Sequence, residues 1–271
     1  MHRLNTGLQS TEQAAQSMSI GARSISASRK EGMSVRKPNE LPKRGNTLLQ
    51  TALFKQVSPE EADQLIPYLD SRILDKGDFV FREGDEDQRM YLLDYGRVKL
   101  TRRSADSRVQ LLSIHGRGEV LGEIPVFDPK GGPRTASAVV MTNHTHVVSL
   151  EHRALFDWLD EHPRVAVDML QVLANRMRRN NEHISDLVFM DVPARLAKTL
   201  ISLGQRFGEP MEAGLMVPHD LTQEEMAQLV GASRETVNKA LMDFANRGWI
   251  SRKGRSIIIF EPGMLIRRSR R

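Results

Sequence analysis

LTQEEMAQLVGASRETVNKAL, residues 221–241, spells two short helices with a tight turn between them. Thr222 followed three residues later by Glu225 predicts a capping box at the first helix start. Met226, Leu229 and Val230 supply a short apolar stripe. Gly231 falls where the turn needs a positive φ, and small Ala227, four residues earlier, lets two helices cross closely. Ser233 is placed to cap the second helix. On a helix turning about 100° per residue, Arg234, Glu235, Asn238 and Lys239 share one face, and Val237, Ala240, Leu241 and Phe244 the opposite one. One face packs; the other offers a guanidinium, a carboxylate, an amide and an ammonium. Those groups suit major-groove base edges: Arg for guanine, Glu for the cytosine amine, Asn for adenine, Lys for guanine or phosphate. The bland alternative is an amphipathic hairpin with a solvated face. A turn glycine, a small crossing residue and both caps in one register favour the reading of DNA. Just downstream, Gly248-Trp249-Ile250 and Ser256–Phe260 flank Arg252-Lys253-Gly254-Arg255. Two strands and a basic turn make a wing, with Lys253 and Arg255 suited to backbone phosphates.

Upstream, residues 163–190 predict one long helix. Leu170, Leu173, Met177, Asn180, Ile184 and Leu187 recur at alternating steps of three and four, a heptad seam for a partner helix. Packing on the chain's own barrel competes with that reading; the polar Asn180 in the seam favours a dimer. Asp191 and Pro193 end this helix or cap the next, a natural hinge. Between Arg72 and Leu150 the texture is short β-rich runs (79–81, 90–93, 98–100, 109–112, 138–140 and 146–148) separated by glycine-bearing turns, which indicates an antiparallel barrel or roll. Residues 51–69 suggest short helices, with Ser58 as a cap and Pro59 in the first turn. Residues 1–46 show no sustained period and read as a disordered basic tail. The expected architecture is α+β: a tail (1–46), a β-roll (47–162), a dimerisation helix (163–190) and a winged helix-turn-helix (191–271).

The 271 residues are 39% hydrophobic and 27% charged, which is a soluble globular balance, and the net charge is +5. The charge is uneven: 8 basic and 3 acidic residues in the tail, 18 and 22 in residues 47–190, and 13 and 9 from 191 onward. An acidic middle before a basic C-terminal segment fits a sensor joined to a polyanion binder. There is no cysteine, which excludes a disulfide framework, an iron–sulfur cluster and a cysteine nucleophile. Without a membrane-length apolar run or a secretory leader, a cytoplasmic location is expected. No dense His/Asp grouping suggests a metal centre or a nucleotide-hydrolysing enzyme. A regulatory subunit that does not bind DNA is disfavoured by the helix-turn-helix.

Within the roll stands LGEIPVFDPKGGPRTASA, residues 121–138. A phosphate inside a barrel needs a guanidinium, backbone and hydroxyl donors, and a glycine that permits close approach; a ribose hydroxyl needs a carboxylate. Gly122, Glu123, Arg134 and Thr135 supply that set. Together with GASRETVNKAL and Asp191-Val192-Pro193, these residues make the chain resemble the cyclic AMP receptor/fumarate-nitrate regulator family over roughly residues 50–263, most of all its actinobacterial members. The resemblance implies a phosphate-binding cassette to which Ile124 adds backbone, and Asn180 and Asn181 meeting the adenine. It implies cyclic AMP as allosteric effector, and a homodimer on double-stranded DNA with GTGA/TCAC half-sites. Arg234, Glu235 and Lys239 would contact bases, and RNA polymerase would be a partner. Asn180 departs from the usual Thr or Ser, Pro125 stands where a smaller residue is usual, and Lys130-Gly131-Gly132 lengthens the loop. The alternative left open is a family member that binds DNA constitutively or answers another nucleotide, such as cyclic di-GMP. The family's haem branch needs an axial histidine; His115, His144 and His146 are set aside as ordinary exposed strand histidines.

Overall fold

A computed structural model describes residues 44–270. The expected tail lies outside the described residues except at its end, where helix α1 (Arg44–Leu49) already begins. Thr47 and Leu48 of α1 are buried. Helix α2 (Pro59–Asp63) opens with Ser58 as cap, in a reciprocal capping box with Glu61.

Eight strands form the roll: β1 (Leu69–Leu74), β2 (Phe79–Phe81), β3 (Arg89–Tyr95), β4 (Val98–Arg103), β5 (Val109–His115), β6 (Val120–Leu121), β7 (Ser137–Val140) and β8 (Thr145–Glu151). They make two four-stranded antiparallel sheets, ordered β1-β8-β3-β6 and β2-β7-β4-β5. Leu69 corrects the sequence reading: it opens strand β1 instead of closing a helical stretch. Val80, Phe81, Tyr91, Leu93, Val98 and Val140 fill the space between the sheets. A second core packs α1, α2 and the helix α4 (His152–Glu161) over the first sheet through Phe54, Leu65, Met90 and Trp158. A one-turn helix, α3 (Ile124–Phe127), lies in the cassette.

Helix α5 spans Pro163–Phe189 and buries only Val165 and Met169 fully. Leu170, Met177, Ile184 and Leu187 of the seam stand 64%, 67%, 60% and 41% exposed, an apolar stripe largely open among the described residues, with Leu187 at its end lying against the Gly231 turn. Asp191 settles the hinge as a cap: its side chain accepts from Ala194 N–H at 2.8 Å and starts α6 (Val192–Phe207). The C-terminal part adds β9 (Glu209–Met211), β10 (Gly214–Pro218), α7 (Gln223–Val230), α8 (Arg234–Asn246), β11 (Ile250–Lys253), β12 (Ser256–Ile259) and α9 (Pro262–Arg268). Its sheet runs β11-β12-β10-β9, so the expected two-stranded wing is half of a four-stranded sheet. The roll and this part share one core, because Leu111, Ile114 and Met141 pack with Leu196, Val217, Val230 and Phe244. Lys99 of β4 pairs with Glu225 of α7 at 2.5 Å, Gln228 bonds the backbone of β5, and Arg97 reaches Asp220 and the Pro218 carbonyl.

Candidate nucleotide pocket and nucleic-acid interface

The roll brings most of the sequence-selected cassette together around Arg134, whose side chain is 1% exposed. Its Nη1 donates to the Gly122 carbonyl at 2.7 Å, and its Nη2 to Asp87 Oδ2 at 2.7 Å and the Arg89 carbonyl at 2.6 Å. The guanidinium lies over Phe81 and near Tyr91, 4.5 and 5.5 Å from the ring centroids. Buried Nε has no partner. Five N–H donors minus three used leaves two, one of them Nε–H. A buried, cationic, under-used donor is what an anionic ligand would satisfy. Gly122 allows the approach: its φ is +72°, and a Cβ there would sit 2.5 Å from Arg134 Nη1.

Asp87 is the counter-charge that sequence reasoning missed. Burial raises its carboxyl, but hydrogen bonds from Tyr91 and Arg134 outweigh that and hold it below its ordinary value. The Tyr91 hydroxyl donates to Asp87 Oδ2 at 2.6 Å, and burial followed by that bond pushes the phenol up. Glu123 does not pair with Arg134. It accepts from Arg176 Nη1 of α5 at 2.7 Å, so a second unforeseen residue ties the cassette to the seam helix. Asn180 stands one turn beyond Arg176, and both Asn180 and Asn181 are exposed. Thr135 and Ile124 are exposed as well. The histidines correct the sequence reading. His115 and His146 are both 7% exposed; His146 Nδ1 bonds Asp94 at 3.0 Å, and burial lowers His115 to about 4. Only His144 is an exposed residue, and it sits in a turn with φ of 56°. Among the described residues no group of three or more His, Cys, Asp or Glu is placed to hold a metal.

The interface forms from local rules. Thr222 Oγ1 accepts from Glu225 N–H, and the Glu225 carboxylate accepts from Thr222 N–H, a complete capping box. Burial raises the Glu225 carboxyl, yet the bonds from Lys99 and from the Thr222 backbone hold it low. Gly231 ends α7 at φ 69°, and Ala227 beneath it is buried. Ser233 caps α8 through Thr236 N–H. Arg195 of α6 donates to the Met190, Val230 and Gly231 carbonyls, fixing the turn against the hinge. Val237, Ala240, Leu241 and Phe244 are buried. Arg234, Glu235 and Lys239 are exposed, the last two paired at 2.7 Å. Lys253 and Arg255 flank the tight turn of the β11–β12 hairpin and are exposed. Asn238 differs from expectation. It is half-buried, its Nδ2 donates to Gln223 at 3.1 Å, and its Oδ1 is buried without a partner, so its amide is not turned outward as an adenine reader.

A roll with a buried, under-bonded guanidinium, a long helix with an exposed apolar seam and a winged helix-turn-helix define a ligand-responsive DNA-binding regulator. The cyclic nucleotide-binding domain family matches residues 71–162, and the Crp-like helix-turn-helix domain matches residues 194–268. The chain is 46% identical over 223 residues to the CRP-like cAMP-activated global transcriptional regulator of Mycobacterium tuberculosis, covering 82% of this chain and 98% of that one. It is 30% identical to the cyclic AMP receptor protein of Thermus thermophilus, over 79% of this chain and 94% of that one. The solved c-di-GMP responsive global regulator CLP of Xanthomonas campestris superposes with a TM-score of 0.63 over 75% of this chain and 99% of that one. At 23% identity that likeness speaks to the fold alone. The chain belongs to the cyclic AMP receptor/fumarate-nitrate regulator family. It is a transcription regulator with a cyclic nucleotide-binding and a DNA-binding domain, not an enzyme.

Proposed function

We propose that this regulator answers cyclic AMP, works as a homodimer in the cytoplasm, and reads inverted repeats with GTGA/TCAC half-sites to control RNA polymerase. The observation that carries the ligand reading is buried Arg134 with its unpartnered Nε, in close contact with the Gly122 backbone. Arg134 would present Nε–H to the cyclic phosphate, with Gly122, Ile124 and Thr135 as neighbouring donors. Glu123, held now by Arg176, would accept from the ribose hydroxyl. Asn180 and Asn181, one turn along the seam, would meet the adenine. The exposed stripe from Leu170 to Leu187 supports pairing of two α5 helices. Two paired modules then put Arg234, Glu235 and Lys239 into successive major grooves about 34–36 Å apart, with Thr222 and Ser233 at the helix starts and Lys253 and Arg255 on phosphates. The relatives' names favour cyclic AMP over another nucleotide.

Titration calorimetry with cyclic AMP, cyclic GMP and cyclic di-GMP tests the ligand: cyclic AMP binds most tightly and Arg134→Ala abolishes its heat. Equal binding of all three, or none, would refute the effector. Sedimentation tests the dimer; a monomer at micromolar concentration with ligand and DNA would refute it.

A further inference from the structure

The face that carries Arg234 is braced from the preceding helix. Gln223 is the first residue of α7, and its Oε1 accepts from Arg234 Nε at 3.1 Å and from Asn238 Nδ2 at 3.1 Å. Arg234 and Asn238 are one turn apart on α8, so one amide oxygen reaches across the interhelical angle and gathers both. An arginine reads guanine with paired donors whose plane must match the base edge. A free arginine loses several rotatable bonds when it docks, and that loss weakens its preference for the right base. Anchoring Nε spends the one donor on the side of the guanidinium nearest the chain and leaves both Nη groups for a base. Asn238 restrains the brace in turn, and its half-buried, inward-turned amide fits that duty better than base contact.

We infer that Gln223 is a positioning residue that sets how strictly Arg234 discriminates its base, with Asn238 as its support. The inference rests on the DNA-reading assignment of Arg234. Gln223 is exposed and helical, so replacing it leaves folding intact, and three substitutions separate its chemistry. Gln223→Met keeps the length and removes the acceptor. Gln223→Glu keeps an acceptor and adds a charge that suits a helix start but opposes DNA phosphates. Arg234→Ala removes the guanidinium.

The experiment is selection of binding sites from random duplex DNA by the full chain with cyclic AMP present, followed by competition with single-base variants of the enriched site. Wild type enriches a site with a guanine whose preference Arg234→Ala flattens. Gln223→Met lowers the preference at that same base about tenfold and leaves the others and the melting temperature unchanged. Gln223→Glu retains that preference while binding every sequence more weakly. In the Arg234→Ala background, Gln223→Met changes nothing further. If Gln223→Met leaves base preference intact, or weakens all sequences alike, Gln223 is idle or a phosphate contact and the inference fails. If wild type enriches no sequence, or Arg234→Ala flattens no base, the DNA-reading assignment fails first and this inference with it.

Discussion

The nucleotide pocket and the DNA interface are both built around an arginine, and the two are held in opposite ways. Arg134 is sealed in the roll, with a carboxylate, two carbonyls and an aromatic face about it. Arg234 stands in solvent at a helix start with a single neutral acceptor. The first has its surroundings fixed by the whole fold, so removing it disturbs folding as well as binding. The second belongs to a local motif, and its removal should be felt only by DNA. The proposed sensing arginine is embedded in the core, and the proposed reading arginine is mounted on the surface.

Mutating each arginine breaks or sustains that contrast. Arg134→Ala leaves Asp87 and two carbonyls facing a cavity, and should cost about 3 kcal/mol of folding stability. Denaturant melts read this, alongside loss of nucleotide binding. Arg134 therefore holds the roll together besides its proposed part in binding, which the motif by itself does not disclose. Arg234→Ala should leave melts unchanged and cost about 1–3 kcal/mol on the cognate site, read by competition binding.

Acid should expose a difference of the same kind. Burial lowers His115 and His219 each to about 4, whereas in the unfolded chain they titrate near 6.5. The unfolded state thus takes up protons first as pH falls. The stabilisation is complete above about pH 6.5 and is lost toward pH 4, at about 1.4 kcal/mol per pH unit for each histidine. Melts from pH 7 to 4.5 should show it, and His219→Gln should flatten the slope. Thr222→Ala, which removes one capping bond, should cost about 1 kcal/mol. Smallest of all, Lys253→Ala or Arg255→Ala should leave base preference untouched and reduce the salt slope of DNA binding by about 0.9.

The interface was legible because its determinants are neighbours in sequence. Thr222 and Glu225, Ala227 and Gly231, and Ser233 before Arg234 each act within a turn or two, and all formed as the pattern indicated. In the pocket, Gly122, Glu123 and Arg134 were legible as a cassette, but their partners were not. Asp87 lies 47 residues from Arg134, and Arg176 lies 53 from Glu123; no spacing rule joins them. Strand β1 was missed because LDSRIL is an edge strand with only Leu69 buried and no clean alternation. Helix α6 had a readable signal in buried Leu196, Leu200 and Leu203 after the Asp191 cap. Asn238 looked like a reader by residue type; its half-buried seat beside Gln223 depends on the crossing of two helices, which one-helix geometry does not supply.

Nucleotide bound at Arg134 should change how the Arg234 face meets DNA. Arg176 already links the cassette to α5 through Glu123, and α5 runs to the Asp191 hinge. Coupling of this sort is worth about 1–3 kcal/mol, or roughly 5–150-fold in affinity. The direct measurement is affinity for an inverted GTGA/TCAC repeat across a cyclic AMP titration, followed by fluorescence anisotropy at fixed salt. Affinity should rise within that range and saturate as the nucleotide site fills, and Arg134→Ala should hold it at the ligand-free value. A flat curve, with calorimetry showing the nucleotide bound, would mean that the nucleotide site and the DNA face are not coupled.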